Sequence, residues 1–268
     1  MFLPFGDAPN PRRFRPWVTW GLIALNVGIF LAVSLPLSFT KADPRDPLLR
    51  EYLRLISRSL PLGISLREAM SQVSAYDLFV LRWGFKPGAP EVRDLFASLF
   101  LHGGLAHLLG NMLFLWIYGD NVEQRLGRLG YLAAYLFTGM AATLAFALFA
   151  RDSMLPLVGA SGAISGVLGL YFVLFPRNVV KVFVFLFPFL MTTILLPARL
   201  VLLFYLVLDN LLPFLVGVDS GVAYGAHIGG FLAGWAIARI GESLARRTAW
   251  RWPGDRRMGS PWPWLEDD

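Results

Sequence analysis

The chain has 268 residues, 56% hydrophobic and 16% charged, with a formal net charge of +6. Soluble domains carry about 25% charged residues, and several uncharged runs here approach the ~20 residues that a helix needs to cross a bilayer, so the composition excludes an ordinary soluble protein and marks a polytopic membrane protein with one membrane domain. Cysteine is absent, which excludes disulfides, thiol nucleophiles and cysteine metal sites; the excess arginines sit at the ends of apolar runs, where they orient a membrane protein rather than bind nucleic acid.

Residues 1–15 form a basic N-terminal segment with Arg12, Arg13 and Arg15. The apolar run from Pro16 to Pro36 is longer than the ~7–15 residues of a signal-peptide core and is read as a retained transmembrane helix. The uncharged runs are 16–40, 95–119, 129–150, 153–176, 182–198, 200–208 (fading at Asp209) and 220–238. Between the first two lies a long segment, 41–94. There Leu49, Tyr52, Leu53, Ile56 and Leu60 recur at helical spacing among Arg50, Glu51, Arg54 and Arg58, the pattern of an amphipathic helix lying on a membrane surface; the alternative is a soluble loop that packs on itself. Ser65-Leu66-Arg67-Glu68 has the form of a capping box opening a second short helix.

Lys and Arg are retained on the cytoplasmic side of a membrane. The N-terminus, the 120–128 turn (Arg125, Arg128), the 177–181 turn (Arg177, Lys181) and the tail (Arg239, Arg246, Arg247, Arg251) are all basic. Six spans place all four on one side. A spanning 182–198, with Pro188, Thr192, Thr193 and Pro197 and only Arg199 before the next run, would break that arrangement. It is expected to be interfacial or re-entrant. The expected fold is therefore an all-α membrane bundle of six transmembrane helices over 16–240, with 41–94 as a long membrane-associated outer loop and 241–268 as a cytoplasmic basic and aromatic tail.

All three histidines, His102, His107 and His227, lie in or beside apolar segments. Ionisable groups at membrane depth are costly and are usually kept for function. Ser161 follows Gly159 and precedes Gly162, and 16 residues from Ser161 reach Pro176. A helix of that length spans about 24 Å at 1.5 Å per residue, short of the ~30 Å hydrocarbon core, so it begins below the surface with Ser161 at its N-terminus. Free amides and the positive dipole end gather there. Taken alone, this Gly-x-Ser-Gly reads first as a small-residue packing turn. His227 lies about 10 Å into the last span, a similar depth. Gly230 and Gly234 share its face, as Ser165 and Gly169 share that of Ser161, and small residues let helices approach closely in lipid. His107 and Asn111 are four apart on one face, both able to donate to an oxyanion; His102 faces elsewhere and is assigned to holding the loop. A zinc protease needs His-Glu-x-x-His, and His102-Gly103-Gly104-Leu105-Ala106-His107 has no acid, so no metal and no cofactor is expected. Asp209, the acid deepest in the fifth run, is a conceivable third member beside Ser161 and His227. Pro213 and Asp219 argue that the span ends soon after it and leaves it at the interface.

These residues resemble the rhomboid intramembrane serine proteases over roughly 16–240. The matching motifs are His102-x4-His107-x3-Asn111, Gly159-x-Ser161-Gly162, Ala226-His227-x2-Gly230-x3-Gly234, and the run from Gly119 to Gly127 that holds Glu123 and Arg125. The resemblance implies a Ser161–His227 dyad, an oxyanion site from His107 and Asn111, a membrane-embedded 41–94 loop, and cleavage of single-span membrane proteins near the outer leaflet of the cell membrane. Two departures stand out. Many relatives carry Trp-Arg where this chain has Arg93-Asp94, and some carry an aromatic stacking on the histidine where this chain has Ser165. The rival readings are an inactive rhomboid-like membrane-protein binding module, against which the complete set of catalytic residue types argues, and a small transporter, against which the confinement of polar residues to one membrane face argues.

Overall fold

The computed structural model describes residues 2–10, 14–57, 65–186, 190–218, 222–248 and 250–256. Arg12, Arg13, Arg58, Leu60, Pro188, Asp219 and the terminal Glu266-Asp267-Asp268 lie outside the described residues. The chain opens with strand β1 (Phe2–Ala8) and enters helix α1 (Trp17–Phe39), which is long and apolar enough to cross a membrane. Four short helices follow: α2 (Pro47–Ile56), α3 (Leu66–Gln72), α4 (Ala75–Trp83) and α5 (Val92–Ala97). Each of the first three is opened by a side-chain cap, Asp46 for α2 and the capping boxes Ser65/Glu68 and Ser74/Asp77 for α3 and α4, which satisfy amides that the first turn leaves free. The apolar face of α2 is covered: Leu49 and Leu53 join Ala42, Ala69, Val73 and Leu78 in a small core. The described part of the segment thus packs its apolar residues together.

The expected 95–119 run divides at residues 101–104. Val92–Phe100 and helix α6 (Leu105–Leu126) meet at 88°. Helix α7 (Arg128–Phe149) follows after Gly127, whose φ of +74° suits glycine alone. Helix α8 (Ser161–Leu174) is shorter, at 14 residues. Helices α9 (Ala198–Val216) and α10 (Tyr224–Arg247) complete the bundle. By length and composition, α1, α7 and α9 can cross a membrane, as can the bent 92–126 pair if counted as one span.

Helix α8 is the centre of the bundle. Its Ala163, Ile164, Val167, Leu168, Leu170 and Tyr171 are buried, and its glycines bring backbones together. A Cβ at Gly230 would collide with the Gly162 carbonyl oxygen, and one at Gly234 with that of Gly166. The sequence paired those glycines with Ser165 and Gly169. Gly169 does face α10, at Phe231, whereas Ser165 turns to α9.

The all-α expectation is corrected by a three-stranded antiparallel sheet. Strand β2 (Val179–Leu186) lies between β1 and β3 (Leu190–Pro197), with Gly6 opposite Lys181 and Val182 opposite Ile194. Residues 182–186 and 190–197 of the 182–198 run are therefore strand and not a spanning helix. The run is rich in Val, Ile, Thr and Phe, residues that fit a pleated surface, and strand β2 turns Val180, Val182 and Val184 inward. The expected fade of the fifth span at Asp209 is also corrected. Helix α9 continues to Val216 through a π-turn at Val207–Leu211, and α1 has a like turn at Phe30–Ser34. Pro213 and Pro36 follow them. A proline clashes with the carbonyl four residues back, here at Asp209 and Ala32, both inside the wider turns that absorb the clash.

Candidate active site

The approach to α8 is fixed before Ser161 is reached. Gly159 adopts φ +129°, and its amide donates to the Ser98 carbonyl at 2.8 Å. A Cβ there would stand 2.9 Å from the imidazole of His107, so Gly159 lets the loop pass against that ring. Ser161 is the first residue of α8, where helix geometry leaves amides unpaired and directs the positive dipole end outward.

Helix α10 brings His227 to it: Nε2 lies 2.8 Å from Ser161 Oγ. The other ring nitrogen, Nδ1, lies 2.7 Å from Asn210 Oδ1. The Asn210 amide nitrogen donates to the Tyr205 carbonyl at 2.7 Å. The Tyr205 ring stacks on His227, with centroids 6.4 Å apart and planes at 29°, and its hydroxyl is 2.7 Å from Ser165 Oγ. Neither Asn210 nor Tyr205 was singled out in the sequence. The Tyr205 ring thus covers one face of His227, and Ser165 anchors its hydroxyl.

A cavity of about 520 Å³ opens onto Ser161 and His227 and is lined by His107 and Asn111 of α6, Val158 and Tyr205. Asn111 is buried, and its amide nitrogen has no hydrogen-bond partner among the described residues, leaving a donor free to meet an acceptor in the cavity. His102 is fully buried behind His107, their rings 5.2 Å apart edge to face. Its carbonyl accepts from the Tyr76 hydroxyl at 2.8 Å and its amide donates to the same oxygen at 3.2 Å, tying α4 to the loop before α6. Asp209 is exposed while its neighbour Asn210 is buried; the amide, not the acid, reaches the histidine. Among the described residues, no three His, Asp or Glu side chains converge as metal ligands do.

The remaining motif residues brace the bundle. Buried Glu123 receives the Val18 amide at 3.0 Å, the Thr19 amide at 2.8 Å and the Thr19 hydroxyl at 2.8 Å, so it caps α1 from α6. Arg125 pairs with Glu242 of α10 at 3.2 Å. A Cβ at Gly162 would lie 2.6 Å from the Ala142 methyl of α7. In the segment before α6, buried Asp94 pairs with Lys86 at 3.1 Å and Arg93 lies over the Trp83 ring at 5.1 Å. Lys86 also donates to the Leu81 and Gly84 carbonyls at 2.9 Å, so these contacts hold the segment.

Helices apolar enough to cross a membrane, around a largely apolar cavity that holds Ser161 and His227, define the protein as an integral membrane protein of helical-bundle class. Its residues 89–243 match the model of the Rhomboid domain. The chain is 34% identical to RHOMBOID-like protein 1 of Arabidopsis thaliana over 85% of this chain and 55% of that protein. It is 27% identical to RHOMBOID-like protein 2 of the same plant over 94% of this chain and 74% of that protein. With the mitochondrial Rhomboid protein 1 of Saccharomyces cerevisiae it shares 31% identity over 59% of this chain and 46% of that protein. The chain belongs to the rhomboid family.

Proposed function

We propose that the protein is an intramembrane serine endopeptidase, working through Ser161 and His227 without metal or cofactor. The observation that carries this reading is the 2.8 Å contact between Ser161 Oγ and His227 Nε2 at the wall of a cavity that also holds the unpaired Asn111 amide. Ser161 Oγ attacks the scissile carbonyl carbon as His227 Nε2 takes its proton. The oxyanion is held by Asn111, His107 and the Ser161 backbone amide. Collapse breaks the C–N bond, and His227 passes the proton to the departing amine. Water then attacks the acyl-enzyme, giving a proton to His227 and releasing the new carboxylate; His227 returns that proton to Ser161.

The substrates are single-span membrane proteins, cut near the outer leaflet of the cell membrane. In this reading residues 16–240 form six spans, α1, α6, α7, α8, α9 and α10, residues 41–94 are a membrane-associated outer loop, and residues 1–15 and 241–268 are cytoplasmic. The grouping of Arg125, Arg128, Arg177 and Lys181 around one end of the bundle supports that orientation.

The test is cleavage of a panel of single-span substrates by purified protein in liposomes, with fluorophosphonate labelling in parallel. Wild type is expected to cleave and to label, whereas folded Ser161→Ala and His227→Ala do not cleave. Full cleavage by either variant ends the reading.

A further inference from the structure

Beyond the serine and the imidazole, the ring nitrogen of His227 that faces away from Ser161 has its own buried partner. Its Nδ1 lies 2.7 Å from Asn210 Oδ1, and Asn210 is 1% exposed. The direction of this bond is fixed by chemistry. The Asn210 side chain makes a second contact, 2.7 Å to the Tyr205 carbonyl oxygen. A carbonyl only accepts, so the NH2 of the amide must face it. The amide oxygen then faces His227 and can only accept. Nδ1 must therefore carry the hydrogen, and Nε2 presents its lone pair to the Ser161 hydroxyl. That is the tautomer a general base needs. With the opposite tautomer, Nε2–H would point at Ser161 and no group would remove the hydroxyl proton.

The local fold supports the same assignment. Asn210 sits inside the π-turn Val207–Leu211, a widening that recurs at functional sites. Its side chain reaches back five residues to Tyr205, whose ring covers the face of His227. One short stretch of α9 thus sets both the tautomer and the tilt of the ring. Asp209, one position earlier, is on the exposed side.

We infer that Asn210 is a positioning residue, a neutral third member that locks His227 in the Nδ1–H tautomer with Nε2 toward Ser161. The inference rests on the protease reading for its catalytic consequence but not for its structural content, and the experiment separates the two. Protein with 15N-labelled histidine has three imidazoles to resolve, and the His227 signals are assigned by their loss in His227→Ala. Nitrogen shifts in detergent micelles should report Nδ1–H in wild type and in Asn210→Asp, which keeps an acceptor oxygen, and a mixture with Nε2–H in Asn210→Leu. With a fluorogenic single-span peptide, Asn210→Leu should lower kcat about 10–100-fold with KM little changed, below the ~10⁴ lost when a triad aspartate becomes asparagine and the tautomer is wrong; Asn210→Asp should recover most of the rate.

The inference is overturned if Asn210→Leu keeps the Nδ1–H tautomer or wild-type kcat, or if the Leu and Asp variants lose activity alike with a raised KM, the sign of a packing role only. If Asn210→Leu does not fold, the Asn210→Asp spectrum decides, and loss of Nδ1–H there overturns it. If wild type neither cleaves nor takes the fluorophosphonate, the protease reading fails while the nitrogen shifts still decide the role of Asn210.

Discussion

In the proposed mechanism Asn111 is an oxyanion donor at the wall of the cavity that also holds Ser161 and His227. Its amide nitrogen is buried and unpaired among the described residues, a state that costs free energy unless a ligand oxygen arrives. Loss of one oxyanion donor typically lowers kcat about 10²–10³-fold, and the Ser161 amide and His107 remain. Asn111→Ala is therefore expected to fall short of the loss in Ser161→Ala, measured as kcat on one peptide; unchanged kcat in both Asn111→Ala and His107→Ala removes them from the site. Asp209 is the opposite case. It is exposed, and the histidine already has its partner in Asn210. Asp209→Asn should lower kcat less than about tenfold, far from the ~10⁴ of a buried triad acid; a thousandfold loss with folding intact would place the acid in the mechanism. His107, Asn111, Ser161 and His227 were legible in the sequence because polar side chains stand out in apolar runs. Asn210 was not, because the span was expected to fade one residue earlier and a π-turn leaves no mark on a 3.6-residue period. The one trace was Ser165, small where an aromatic was expected; it is where the Tyr205 hydroxyl is anchored.

At the scale of elements, helix packing follows from where side chains are missing. Gly230 and Gly234 hold α10 against the carbonyls of Gly162 and Gly166, with no room for a Cβ. Overpacking typically costs about 1–3 kcal/mol, and backbone is the part of the neighbour least able to move. Gly230→Leu and Gly234→Leu should lower the melting temperature and remove activity together. Gly28 in α1 is the matched control. Nothing lies within 4 Å of a Cβ placed there, so Gly28→Ala should be neutral or stabilising. Equal, wild-type melting in all three variants would mean that the α8–α10 face looks into lipid. The glycine spacing was visible in the sequence, but its phase on α8 was one residue off, because Ser161 and Gly162 point to different neighbours. The β2–β3 hairpin was hidden for a different reason. A short apolar run of β-branched residues carries the hydropathy of a membrane segment, and periodicity alone does not separate the two. What it did show was that 182–198 fits poorly as a span.

The whole molecule has two unlike ends. One holds the cavity, the loop before Ser161 and the start of α10. The other holds the sheet, the α6–α7 turn at Gly127 and the stretch around Trp252, whose indole donates to Glu242 at 2.9 Å. Besides its ladder with β2, strand β1 is fastened there by the Asp7 carboxyl. Asp7 is 2% exposed, accepts from the Asn121 amide at 2.7 Å and from the Tyr171 hydroxyl, and Asn178 donates to that hydroxyl at 2.9 Å. Burial pushes the Asp7 carboxyl up from 3.8 to about 7, with the charge of Asp120 adding to the rise and the Tyr171 hydrogen bond opposing it. The sign follows from linkage. The fold binds this proton more tightly than the unfolded chain does, so the contribution is complete below about pH 4 and is lost as pH rises through about 7. Wild type in detergent should therefore melt at a lower temperature at pH 8 than at pH 5.5, and amides of residues 2–8 should exchange faster at pH 8 than the intrinsic rate predicts. Asp7→Asn keeps an acceptor for Tyr171 and Asn121 without the charge, so it should flatten the pH dependence and melt above wild type at pH 8. An equal slope in the two proteins would mean that the carboxyl is not the group that titrates, and that β1 is held by its ladder with β2 alone.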